Sequence, residues 1–450
     1  MDAILYWNQV ALDAVAQDFT APPSNSAAYL VKPLVKPEQG GPTKTSRALA
    51  IVHLGMYDAY NGIANQYQPY LNNLPCPISG ASAEAAIAQA AFHTLSHLYP
   101  SQYKIFLQKY QDFFAVYLGD DLAIVNGKNY GGQIATAILE NRQDDNSTKN
   151  QDYVQNSAPG KYRPDPLSPN TPALGPTWGQ VRPFGISQVS DFLAAPPPQL
   201  DSAQYAIDYN DVKAKGAMVN SSRTPEETAI GLFWAYDGVQ KLGTPPRLYN
   251  QIVRVIASQK HNSIGQNARL FALINLGMAD AGIQCWFSKY YYEIWRPVTG
   301  IRAADDDWNI SGQGDGNEGT EGNPFWLPYG APKTNEPGSN NFTPNFPAYP
   351  SGHATFGATC FDIVRLFYND DDIAFNFVSD ELNGESIDGD GSVRTYHQRH
   401  FNRLSAAIVE NGRSRVYLGV HWQFDAEGGI DSGKKIAEYV FSHQLQIKHC

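Results

Sequence analysis

Two stretches of this chain carry no sustained hydrophobic period: residues 146–203, rich in Pro, Asn, Ser and Gly, and residues 303–348, full of Gly, Asp, Asn and Pro. Around them apolar residues recur at helical spacing. This alternation constrains the fold most, because it demands blocks of amphipathic helix joined by irregular chain far longer than ordinary loops. In the first block Ile4, Trp7, Ala11 and Ala14 share one face, and further helices are expected over residues 46–60, 83–98 and 122–139. The stretch 146–203 holds Tyr162, Trp178 and Phe184 as apolar anchors, so it is expected to lie pinned across a helical body rather than to swing as a linker.

Helical signals resume at Thr224-Pro225-Glu226-Glu227, which reads as a capping box with Thr at the N-cap, Pro at the first position and Glu at the third. Phe233 and Trp234 fall on the helix that follows. A long helix is expected from about Asn267 to Trp295, stopping before Pro297. Two more should follow Pro350 and Leu404, and a last one should cover residues 434–444. Strand signals are sparse. The class read from this pattern is mainly α; we expect an all-α body of two helical bundles in one compact unit. An N-terminal helical region with its Pro-rich connection would cover residues 1–203 and a C-terminal bundle residues 204–450.

Composition narrows the function classes. The chain has 450 residues, 33 basic against 44 acidic, and a net charge of −11, an overall field that disfavours nucleic acid. No run approaches the ~18–20 consecutive apolar residues of a membrane span. The N-terminus carries Asp2 where a signal peptide would carry a base, so the chain is expected to be cytoplasmic, to lack its leader or to be exported by another route. Cys76, Cys285, Cys360 and Cys450 are scattered and read as free thiols.

Three segments carry chemistry. In Lys289-Tyr290-Tyr291-Tyr292-Glu293-Ile294-Trp295-Arg296-Pro297, seven helical steps would bring Arg296 within ~20° of Lys289, so two cations would share one face. Pro350-Ser351-Gly352-His353 opens a helix and offers a hydroxyl, an accessible N–H and the positive end of the helix dipole. In the segment from Ser414 to Asp425, His421 and Asp425 are four residues apart and would be neighbours on a helix, where the carboxylate would orient the imidazole. Each segment alone has a bland reading: a solvated basic stripe, a helix cap, a structural His–Asp pair. Together they supply Lys289, Arg296 and Arg415 with neutral donors and two histidines. Three cations without a carboxylate cluster do not suit a bare divalent metal. They suit a tetrahedral or trigonal oxyanion with two to three negative charges.

The order Lys-x6-Arg-Pro, Pro-Ser-Gly-His, Ser-Arg-x5-His-x3-Asp resembles the type 2 phosphatidic-acid-phosphatase signature, which joins acid phosphatases to vanadium-dependent haloperoxidases. Further features resemble the haloperoxidase branch of fungal chloroperoxidase type. They are residues 233–238 and 243–251, Trp286 three residues before Lys289, and Phe346-Pro347-Ala348-Tyr349 running into Pro350. The resemblance covers most of the chain and is strongest from residue 224 to residue 430. The chain departs from the phosphatases in its length and in the long insert 354–413. It departs from the chloroperoxidases in a shorter segment between Asp237 and Trp286.

The resemblance implies vanadate as cofactor, bonded to His421, with Lys289, Arg296 and Arg415 neutralising its oxygens and Ser351 and Gly352 as neutral donors. It implies His353 as the acid–base group, Asp237 as a carboxylate holding the two arginines, and Trp286 and Phe346 as the wall of a halide pocket. The implied reaction uses hydrogen peroxide to oxidise bromide, iodide and also chloride to hypohalous acid, which small organic acceptors consume. Lys289 would polarise the bound peroxide, and vanadium(V) would act as a Lewis acid. An acid phosphatase with a histidine nucleophile at the same oxyanion site is the alternative, and a non-catalytic helical scaffold is the third reading. His397 and His400, beside Arg394 and Arg399, read as polar surface or access channel. The runs 305–307 and 388–390 read as solvated acidic loops and His53 as a core histidine.

Overall fold

The computed structural model describes residues 2–20, 36–117 and 119–448; Cys450 lies outside the described residues. They form helices α1 (Ala3–Asp18), α2 (Gly41–Ala64), α3 (Ala83–Leu98), α4 (Tyr103–Val116), α5 (Asp121–Gln143), α6 (Ala203–Lys215) and α7 (Pro225–Phe233). Helices α8 (Pro245–Gln259), α9 (Ile264–Tyr292), α10 (Pro297–Arg302), α11 (Gly352–Tyr368), α12 (Leu404–Tyr417) and α13 (Gln423–His443) complete the set. Two short antiparallel strands, β1 (Phe375–Val378) and β2 (Gln398–Phe401), pair Phe375 with Phe401. The mainly helical class stands. The largest apolar cluster runs from Trp7 on α1 through Leu49 on α2, Leu270 on α9 and Phe361 on α11 to Val440 on α13, so one core crosses the middle of the chain.

Helix α9 is the axis of that core. Its 29 residues start at a capping box formed by Ser263 and Gln266. It is long and apolar enough on average to cross a membrane, yet polar residues interrupt it, as the absence of a continuous apolar run implies, and 94% of its apolar window is buried inside the protein, against α2, α11 and α13. Its apolar character serves the core. The helix stops at Tyr292, three residues short of the expected end, because Glu293 adopts a left-handed conformation (φ 57°) and its N–H caps the carbonyl of Lys289.

Helices α4, α6, α8 and α10 were not expected. Pro245 and Pro246 occupy the first turn of α8, where no backbone donor is needed. Pro297 likewise begins α10 rather than merely ending its predecessor. The capping box at Thr224 and Glu227 forms as expected, with Trp234 capping the end of α7. Helix α13 starts eleven residues before the expected 434.

The irregular stretch 146–203 is pinned. Tyr162, Trp178 and Phe184 are buried. The fully buried carboxylate of Asp280, on α9, accepts the N–H groups of Phe184, Gly185 and Ile186 at 2.6–2.8 Å. His53 sits in the core between Asn8 and the carbonyl of Leu49, and burial holds it down to about 4. His400 is exposed on β2, and half-buried His397 precedes it near Arg399. Asp305 and Asp306 accept backbone N–H groups of Gly322 and Gly314, which fits loop roles; Asp388 instead pairs with buried Arg394 at 3.2 Å. Cys285 and Cys360 are buried free thiols, and Cys76 is exposed and free.

Candidate active site

Lys289 lies on the last turn of α9, fully buried, and its ammonium donates to the carbonyls of Pro347 (2.9 Å), Ala348 (2.9 Å) and Pro350 (2.5 Å). Burial pushes it down to about 7, with Arg296 and Arg415 adding to the shift. Arg296 is not on that helix. It is the N-cap of α10, and the turn at Glu293 brings it back beside Lys289. The two cations therefore converge as expected, but through a chain reversal rather than a shared helical face. The Phe346 ring fixes both, with Lys289 Nζ 5.2 Å and Arg296 Cζ 4.8 Å from its centroid. Arg296 donates to the carbonyls of Phe346 and Val420 and, from Nη1, to His421 Nε2 at 2.9 Å.

Ser351 is the N-cap of α11, and Gly352 and His353 open the helix, so the first backbone N–H groups have no acceptor within it. A side chain at Gly352 would grow toward Trp286, 3.4 Å from the new Cβ. His353 Nε2 lies 2.6 Å from the carbonyl oxygen of Ala235. A carbonyl only accepts, so Nε2 carries the proton and Nδ1 keeps its lone pair. Burial and the nearby Arg415 hold His353 down to about 3, against the opposing pull of Asp237. Tyr249 and Asn411 both donate to the His353 carbonyl, which fixes the start of α11.

Arg415, on the last turn of α12, makes a two-pronged pair with Asp237 at 2.7 and 2.9 Å. Among the described residues Asp237 makes no hydrogen bond to Arg296, so it holds one of the two arginines rather than both. His421 sits in the turn between α12 and α13, ahead of the helix in which the sequence reading placed it. Its Nδ1 still meets Asp425 at 2.8 Å, because Asp425 folds back over the start of α13 and also accepts the Trp422 N–H. A guanidinium only donates, so His421 Nε2 must present a lone pair and Nδ1 the proton. Burial and the surrounding cations, Arg296 foremost, keep this imidazole neutral.

The charge balance is the central fact. Lys289, Arg296 and Arg415 are almost wholly buried, and the carboxylates in their midst are Asp237 and Asp425. Burial, with Arg415, brings Arg296 down to about 10, and burial raises Asp425 to about 7. Among the described residues Arg296 Nη2 and Arg415 Nε are buried donors without a partner. Such donors cost roughly 1–3 kcal/mol each when left unmade. The set is short of negative charge and of acceptors, as an oxyanion site should be.

A cavity of about 410 Å³ opens above this cluster. Asp237, Gly352, His353, Arg415 and His421 form its floor, with buried Lys289 and Arg296 behind. Trp286 and Phe346, whose ring centroids are 4.8 Å apart, form one wall. Sequence reasoning missed what holds that wall: the carbonyl of Leu174 accepts both the Trp286 indole N–H (3.0 Å) and the Tyr290 hydroxyl (2.7 Å). It also missed Glu381 and Arg394, buried beside the loop that carries Asp237. No local motif marks either contribution.

Three comparisons bear on this site. The VCPO second helical-bundle domain matches residues 269–449, and the vanadium chloroperoxidase N-terminal domain matches residues 1–174. The vanadium chloroperoxidase of Curvularia inaequalis is 33% identical over 95% of this chain and 80% of its own length. A bacterial vanadium-dependent iodoperoxidase has a similar fold, with a TM-score of 0.76, 22% identity and coverage of 99% of this chain and 98% of its own. An apo-type bacterial vanadium-dependent chloroperoxidase follows at 0.66, with 15% identity and coverage of 90% and 94%.

Proposed function

The chain belongs to the vanadium chloroperoxidase family, and from that premise we propose that it binds vanadate at the Lys289–Arg296–Arg415–His421 cluster and oxidises halide with hydrogen peroxide to hypohalous acid. The observation that carries the reading is the buried surplus of cations, with two guanidinium donors that have no partner among the described residues, beside a histidine lone pair. In this reading His421 Nε2 is the ligand atom, and Arg296 must give up its hydrogen bond to that nitrogen. Arg296, Arg415 and Lys289 balance the charge of the anion, while Ser351 and the Gly352 N–H act as neutral donors.

Bound vanadate supplies a Lewis-acidic centre that activates peroxide toward halide without a change of oxidation state. The remaining work falls to the protein. His353 has its Nε2 proton committed to Ala235, so Nδ1 is the nitrogen that takes and returns a proton. Asp237 aims the Arg415 guanidinium into the floor. Asp425 holds His421 in the tautomer whose Nε2 can ligate, as a carboxylate behind a metal-bound imidazole does. Trp286 and Phe346 exclude water from one side of the floor, which strengthens every charge interaction there.

That dry wall extends the proposal from bromide and iodide to chloride, the hardest of the three to oxidise. Small organic acceptors take up the product. The division into residues 1–203 and 204–450 remains part of the proposal.

One preparation assayed with and without orthovanadate tests the reading. Halogenation of a β-diketone dye with peroxide and bromide should appear only with vanadate. Vanadate-inhibited hydrolysis of p-nitrophenyl phosphate without any halogenation would replace it with the phosphatase reading.

A further inference from the structure

Residues 233–238 carry both Asp237 and the Ala235 carbonyl, and their backbone is unusual. Tyr236 has φ 44°, a left-handed conformation that bulky residues rarely adopt without support from their surroundings. The support comes from residues 379–381, more than 140 positions later in the chain. Ser379 Oγ donates to the Phe233 carbonyl at 2.7 Å, and the Asp380 N–H donates to the Tyr236 hydroxyl at 2.9 Å. The Tyr236 N–H donates to Glu381 Oε1 at 3.0 Å. Glu381 is fully buried, and its second oxygen accepts from Thr334 (2.6 Å) and from Arg394 (2.5 Å).

The Tyr236 N–H and the Ala235 carbonyl belong to one peptide group, in which they point in opposite directions. Glu381 therefore grips one end of a peptide whose other end receives the His353 Nε2 proton at 2.6 Å. A carboxylate on the N–H side pushes electron density toward the carbonyl oxygen and makes it a better acceptor, since hydrogen bonds in series reinforce one another. Arg394 fixes the rotamer of that carboxyl group and works against the burial that raises its pKa.

The geometry points to Glu381 as a positioning residue that acts on His353 through the Ala235–Tyr236 peptide, setting which imidazole nitrogen carries the proton. Among the described residues the Glu381 carboxylate bonds to Tyr236, Thr334 and Arg394 and to none of Lys289, Arg296, Arg415 or His421. The role rests on the reading of His353 as the acid–base group, but the peptide link can be tested without that reading.

The test is nitrogen-15 NMR of histidine-labelled, vanadate-free protein, with the His353 signals assigned from their loss in His353→Gln. Wild type should show Nε2 protonated and Nδ1 bare. Glu381→Gln should move the Nε2–H proton upfield and admit a visible population of the Nδ1–H tautomer. In vanadate-loaded enzyme the same variant should lose about tenfold in kcat, with the KM for bromide and the Kd for vanadate changed less than about twofold. Should Glu381→Gln fail to fold beside the unpaired Arg394, the neutral pair Glu381→Gln with Arg394→Gln replaces it, with the same outcomes expected. A folded variant with unchanged His353 signals would overturn the link. A loss of vanadate affinity as large as the loss of kcat would overturn it too, because the network would then merely prop Asp237 against Arg415. Wild type without vanadate-dependent halogenation would defeat the functional reading alone, since the tautomer measurement does not depend on it.

Discussion

The floor of the cavity and its aromatic wall are built in opposite ways. The floor is charge: Arg415 and His421, with Lys289 and Arg296 behind, are held by caps, turns and helix ends of the C-terminal half. The wall is shape. Trp286 stands on α9 but is fixed by a carbonyl of the irregular stretch, and Phe346 comes from the second irregular stretch. Buried charges without partners are costly, so each floor residue needs a specific neighbour. Aromatic rings need only contact, so the wall can be assembled from distant chain with no motif. Changes to the floor should therefore move anion binding or turnover by orders of magnitude, and changes to the wall should move halide handling by small factors.

The largest effect expected in the floor is on turnover. His353→Ala removes the proposed acid–base group but none of the cations, so kcat for bromide oxidation should fall about 10²–10⁴-fold. Its vanadate Kd should stay within a few-fold, read by titration of vanadate-free protein. Full activity in a folded variant would break the assignment.

Next comes Asp237. Two effects oppose each other in Asp237→Ala: loss of a carboxylate favours an anion, while loss of the two-pronged grip disorders Arg415. Orientation should win, as it does for partners behind metal ligands, with vanadate affinity weakened about 10–100-fold. Tighter binding in equilibrium dialysis would show that charge alone governs the floor.

A smaller effect belongs to Lys289, which burial has pushed down to about 7. Below that pH the ammonium is present and the anion binds without taking up a proton. Above it, binding must first restore the proton, so affinity should weaken by up to about tenfold per pH unit. Tungstate, whose charge is constant from about pH 6 to 9, isolates this behaviour. Wild type should show the falling affinity, and Lys289→Met should have a flatter profile with weaker binding throughout.

The smallest effect probes the wall. Gly175 has φ 70°, and a Cβ there would lie 3.0 Å from the Trp286 ring. Gly175→Ala should cost about 1–2 kcal/mol of stability from the left-handed backbone. It should change the KM for bromide by about two- to fivefold while leaving the vanadate Kd untouched. An equal change in both would erase the distinction between wall and floor.

This contrast also explains what could be read from the chain. The floor was legible because Lys289, Arg296, Ser351, Gly352, Arg415 and His421 lie in three short segments whose chemistry is complementary. Even there the route differed from the expectation: Arg296 reaches Lys289 by the reversal at Glu293, and His421 meets Asp425 from outside the helix. The Ala-rich helix α3 was found at its true limits. Helix α8 was missed although Leu248, Ile252, Val253 and Ile256 keep helical spacing. The grip of Leu174 on Trp286 and of Glu381 on Tyr236 spans more than 100 residues and uses backbone groups, which every residue possesses. Periodicity and spacing carry no trace of such contacts.

The central claim is that His421 and the surrounding cations form an anion site. Its most direct test is a crystal structure of vanadate-soaked protein, with diffraction collected on both sides of the vanadium absorption edge. The account predicts one anomalous peak in coordination contact with His421 Nε2, with the Arg296 and Arg415 guanidinium groups hydrogen-bonded to the surrounding oxygens. A peak elsewhere in the cavity, or no peak at a concentration that supports halogenation, would contradict it.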